Sequence, residues 1–112
     1  MQSGGNYTGG GKLDLIKASV KAYEIAKKRG QYEGDGKDVI RALKHCAGEI
    51  IEANEAYNNW TFCDIEAVLK QQFEDEIADI VMCCLSICGA ERINIEKALE
   101  RVFEKNEKRC RK

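Results

Sequence analysis

Glu49-Ile50-Ile51-Glu52 and Glu76-Ile77-Ala78-Asp79 are the two stretches of this chain whose residue types and spacing suggest chemistry. In each, two acids stand three residues apart. On a helix, at roughly 100° per residue, that spacing places both side chains on one face, about 60° from each other. Two such helices running antiparallel would turn both pairs into one gap and offer four carboxylates. Hard divalent cations such as Mg²⁺ take oxygen ligands of this kind and keep positions open for substrate phosphates.

Acids at i, i+3 on a helix are usually solvated surface, so their neighbours decide the matter. On a helical wheel Glu76 falls among Leu69, Phe73, Ile80, Cys83 and Ile87, the apolar side of its helix. Asp79 is one of two polar residues, with Ser86, in the apolar stretch from Ile77 to Ala90. A carboxylate there is costly unless it is paired or bound to metal. Glu49 and Glu52 point away from Leu43, Ala47 and Ile50, toward Ala42, Cys46, Ala53 and Ala56, which reads as a second packed face. His45 lies one turn before Glu49 on the same side. A single histidine with no second Glu-x-x-His partner argues against a di-iron bundle. It reads as a packed or exposed side chain rather than a ligand.

Four helices must position these acids. Leu13, Ile16, Val20, Tyr23 and Ala26 recur at helical spacing and predict a first helix from about Leu13 to Arg29, with Gly30 at its C-cap. Gly30 to Gly36 reads as a loop. A second helix begins near Asp38, carries Val39, Ile40, Leu43, Ala47 and Ile50 on its main face, and is broken at Asn58-Asn59-Trp60-Thr61. Asp64 is a good N-cap for a third helix running to Cys88 and ending at Gly89, and Asn94 for a fourth through about Lys108. No segment alternates as a strand does. The fold class is therefore all-α, most simply four-helix bundle-like. Residues 1–12, rich in glycine, read as a flexible N-terminal tail and 13–112 as one helical domain. The Gly-Gly-Gly-Lys at 9–12 is not a phosphate-binding P-loop, since Leu13 follows the lysine and Asn6 replaces the first glycine.

Composition narrows the partners. Eighteen basic against 19 acidic residues give a net charge of −1, which argues against a global electrostatic grip on nucleic acid or an anionic membrane. Any phosphate chemistry must be local. Ile77 to Ala90 is too short and too interrupted to span a bilayer. The six cysteines include no C-x-x-C pair, so zinc spacings are absent, and they read as reduced thiols of a cytoplasmic protein. The third helix is apolar around much of its circumference, with Phe73, Ile77, Ile80, Val81, Cys84, Leu85 and Cys88. A 112-residue monomer cannot easily cover that surface and the second face of helix 2 together, which predicts a homo-oligomer built chiefly on helices 2 and 3. Tyr57, Trp60 and Phe62 read as core or interface packing rather than a base-stacking pocket. Lys105, Lys108, Arg109, Arg111 and Lys112 form a basic run that complements a helix C-terminus.

The order E-x-x-E, spacer, E-x-x-D, with apolar residues around each pair, resembles the MazG-like all-alpha NTP pyrophosphohydrolase superfamily. The likeness continues in Ile93-Asn94-Ile-Glu-Lys-Ala-Leu99 and in Lys105-Asn106-Glu-Lys-Arg109, similar to that family's helix-4 ending, and covers about residues 13–110. Val102 stands where many relatives carry a lysine, and Cys110-Arg111 where an aromatic-proline pair is common. The resemblance implies hydrolysis of a (d)NTP between the α and β phosphates, giving monophosphate and pyrophosphate. It implies Mg²⁺, with Mn²⁺ as a substitute, on Glu49, Glu52, Glu76 and Asp79. Glu52 is the candidate base, and Lys105, Asn106 and Arg109 are the candidate substrate contacts. A dimer or tetramer would complete each site. Two other readings share these features: a non-catalytic helical oligomer, and a phosphoribosyl-ATP pyrophosphatase-like enzyme.

Overall fold

The computed structural model describes residues 14–61 and 66–110, which form four helices and no strand. The tail, Leu13, Phe62, Cys63, the expected cap Asp64, Ile65 and the last two residues lie outside the described residues.

Helix α1 (Leu15–Lys28) starts two residues later than its apolar spacing suggests, because Asp14 caps it. The Asp14 carboxylate accepts from the backbone N–H of Ile16 at 3.0 Å and of Lys17 at 3.1 Å, satisfying two of the free donors at a helix start. At the other end Gly30 takes φ +81°, with Gly30 N–H donating to Lys27 O and Gln31 N–H to Ala26 O, both at 3.0 Å. This is the Schellman pattern in which glycine is favoured, as expected at Gly30. The loop that follows is tied by ions and turns. Asp38 accepts from the backbone of Glu33 and Gly34, and Arg41 bridges Asp35 at 2.9 Å and Asp38 at 2.6 Å.

Helix α2 (Asp38–Thr61) does not break at Asn58. Tertiary packing overrides the weak helix propensity of Asn58-Asn59. Trp60 stacks on Phe73 of α3 with centroids 5.8 Å apart, and Tyr57 meets both rings. Helix α3 (Glu66–Glu91) likewise runs past Gly89. That glycine is not a terminator but a point of contact. A Cβ at position 89 would collide with the Ser19 carbonyl oxygen and lie 2.7 Å from the Tyr23 Cβ, so glycine lets α1 approach α3 closely. The chain turns instead at Arg92, at φ +55°, and Asn94 caps α4 (Ile95–Cys110) through Lys97 N–H, as the sequence suggests.

Helix α3 is central, with α1 and α2 packed against it, and α4 makes few contacts, chiefly with α1. The core is built of small residues: Ser19, Ala22 and Ala26 from α1, Ala42, Cys46 and Ala53 from α2, Cys83, Leu85, Ser86 and Cys88 from α3. Tyr32 closes one end, its hydroxyl 3.0 Å from Ser86 Oγ. The face of α2 that packs inward is therefore the small-residue one. Its large side chains point out: Ile40 is 56% exposed, Leu43 56% and Ile51 62%. One expectation is corrected here. The cysteines are not all free thiols, because Cys46 and Cys83 form a disulfide between α2 and α3, their Cα atoms 5.9 Å apart. Cys84 and Cys88 are free, and burial raises the Cys88 thiol above its ordinary value. No described helix is long and apolar enough to cross a membrane.

Candidate metal centre

The close seam between α2 and α3 brings Glu49 of the first acidic pair together with both acids of the second. Glu49 lies on the buried small-residue side of α2, one turn after Cys46, and its side chain is only 14% exposed. Glu76 and Asp79 occupy α3 two turns and one turn before Cys83, respectively. One carboxylate oxygen from each of Glu49, Glu76 and Asp79 lies within 4.8 Å of the others. Glu52 is exposed and is not among those three, but it stands close enough for its charge to act on Glu76.

The electrostatics of this cluster are unfavourable as it stands. The Glu76 carboxyl is raised above its ordinary value, first by loss of water and then by the negative charges of Glu52, Asp79 and Glu49. Two oxygens, Glu49 Oε1 and Glu76 Oε1, are buried without a hydrogen-bond donor. A divalent cation held by this cluster would offset the repulsion among its acids. The residues present therefore fit a hard metal ion: carboxylate oxygens alone, brought together from two packed helices.

His45 adjoins this arrangement in a way the sequence reading passed over. Its Nε2 lies 3.2 Å from Glu49 Oε2, on the oxygen opposite the orphaned one, so the imidazole borders the carboxylate. The i, i+4 spacing to Glu49 was the available signal.

A cleft of about 200 Å³ opens beside the acids, walled by α1 on one side and by α2 and α3 on the other. Glu49, Asp79 and His45 line it together with Arg29 and Gln31, neither of which the sequence singled out. The expected substrate contacts on α4 are placed elsewhere. Lys105, Asn106 and Arg109 are exposed, and no α4 residue lines this cleft. Within one chain the structure thus assembles Glu49, Glu76 and Asp79, keeps Glu52 at the edge, and leaves the basic end of α4 apart. No family model matches the chain, and no curated protein or solved structure matches it.

Proposed function

We propose that the chain is a Mg²⁺-dependent nucleoside triphosphate pyrophosphohydrolase of the MazG-like type, cleaving (d)NTP to monophosphate and pyrophosphate. The observation that carries this reading is the convergence of Glu49, Glu76 and Asp79 with two buried, donorless carboxylate oxygens. Those three residues would hold the metal. When bound, it offsets charge on the phosphate chain and acidifies a coordinated water. Glu52, exposed at the edge of the cluster and outside its closest group, is free to accept a proton from the attacking water. Water oxygen then bonds to a phosphorus of the α–β bridge, the bridging P–O bond breaks, and the leaving oxygen carries the electron pair away.

We read the enzyme as a homo-oligomer. Ile51 and Phe103 are 62% and 66% exposed, and α4 presents Leu99, Val102 and Phe103 with little of its own chain against them. Apolar surface of this extent is rare on soluble monomers. In a dimer or tetramer the free-standing α4 would carry Lys105, Asn106 and Arg109 to the site of a neighbouring copy. The same exposed surface favours the second reading, a non-catalytic helical oligomer, and metal binding separates the two. The test is a panel of canonical and modified (d)NTPs and phosphoribosyl-ATP with Mg²⁺ or Mn²⁺, following pyrophosphate release. Turnover of a nucleotide supports the enzyme and identifies its substrate. Absence of both turnover and divalent-metal binding leaves the oligomer reading.

A further inference from the structure

We infer that Arg29 is the cation that receives a phosphate group of the metal-bound ligand in the cleft between α1 and the acidic seam. The inference rests on the metal-site reading above and adds a residue that neither motif nor spacing suggested.

Glu49, Glu76 and Asp79, with Glu52 beside them, place four acids around one point, and a polyphosphate adds several negative charges more. One or two divalent ions do not balance this, so a phosphate ligand needs a fixed positive group nearby. Among the described residues lining the cleft, Arg29 is the one permanent cation. His45, the other basic residue there, already has its Nε2 on Glu49. Arg41, in the first turn of α2, is committed to Asp35 and Asp38. Arg29 makes no ion pair among the described residues, so its donors remain available.

Position supports the assignment. Arg29 is the C-cap residue of α1, and the structural work at that position is done by its backbone N–H, which donates to Ile25 O at 3.0 Å. Its side chain is exposed and lines the same cleft as Glu49 and Asp79. The α1 wall opposite the acids otherwise consists of Ala22, Ile25 and Ala26, which offer an anion nothing. A volume of about 200 Å³ is below that of pockets enclosing a whole drug-sized ligand, so the cleft holds part of one. A guanidinium suits that part if it is phosphate, since its planar donors match two phosphate oxygens at once.

The test measures binding by calorimetry on the full chain, with Mn²⁺ alone, Mn²⁺ plus inorganic tripolyphosphate, Mn²⁺ plus dNTP, and a free nucleoside. In Arg29→Ala, Mn²⁺ affinity should match wild type while tripolyphosphate and dNTP both weaken by about tenfold to a hundredfold. Arg29→Lys should recover part of that loss, and far-ultraviolet circular dichroism should show the same helix content in all three proteins. Unchanged tripolyphosphate affinity in Arg29→Ala, with Mn²⁺ bound normally, overturns this inference and leaves the metal site standing. Weaker nucleoside but unaltered tripolyphosphate binding also overturns it, since Arg29 would then be reading the base. Failure of wild type to bind Mn²⁺ overturns both readings.

Discussion

Gly89→Ala should destabilise the protein, although alanine is the better helix former. In a solvated helix the exchange would gain about 1 kcal/mol. At position 89 the new methyl meets the Ser19 carbonyl oxygen, and it lies 2.7 Å from the Tyr23 Cβ and 3.0 Å from the Ser19 carbonyl carbon. Two of these three atoms are backbone and the third is a Cβ, so no flexible side-chain end can yield. Helix α1 must move off α3. Overpacking of this kind costs about 1–3 kcal/mol, toward the upper end where backbone has to shift. The net effect is a loss of about 1–2 kcal/mol, or roughly 4 °C of Tm for each kcal/mol in a chain of this length. Gly48→Ala is the internal control. A Cβ there meets nothing within 4 Å, so the same exchange within α2 should stabilise by about 0.5–1 kcal/mol. Thermal and urea denaturation followed by circular dichroism measure both. If Gly89→Ala melts at or above wild type, α1 and α3 are not in close contact, and the α1 wall of the cleft is misplaced.

The Cys46–Cys83 disulfide closes a loop across a sequence separation of 37, so Cys46→Ser should cost up to about 4 kcal/mol in the chain-entropy account. Peptide mapping without reductant should recover Cys46 and Cys83 joined. The Asp35 carboxyl, held down to about 2 chiefly by its hydrogen bonds from Arg41, contributes stability that is present above its unfolded value near 3.8 and lost as pH falls toward about 2. The difference in stability between wild type and Asp35→Asn should accordingly stay constant above about pH 5 and close below it, as read from urea melts across that range. Ile51→Glu and Phe103→Glu, both at exposed positions, should leave the helix content unchanged and lower the mass measured by light scattering.

The existence and order of the helices were legible because apolar spacing, Gly30 and Asn94 report directly on local backbone physics. The errors come where a distant contact decides. Asn58-Asn59 look like a stop until Phe73 is seen holding Tyr57 and Trp60 in helical register. Gly89 looks like a terminator until Ser19 is placed against it. The larger side chains of α2 looked like the core face, yet α3 takes the small side, because Cys46, Ala42 and Ala53 permit the close seam that joins Glu49 to Glu76 and Asp79. The acidic pairs were legible from spacing and from their apolar neighbours. Arg29 was not, since its relation to Glu49 and Asp79 arises only from the packing of α1 on α3.

On the proposed function, this acidic seam would carry out metal-dependent cleavage at the α–β bridge. Phosphorus-31 NMR of a turned-over (d)NTP, incubated with Mg²⁺ and either wild type or Glu76→Gln, tests it most directly. Wild type should convert the triphosphate signals into monophosphate and pyrophosphate. Glu76→Gln should leave them intact, while melting no lower than wild type without metal, because Glu76 is held there with its carboxyl raised by burial and three acidic neighbours. Diphosphate with orthophosphate as products, or a Glu76→Gln protein as active as wild type, would contradict the account.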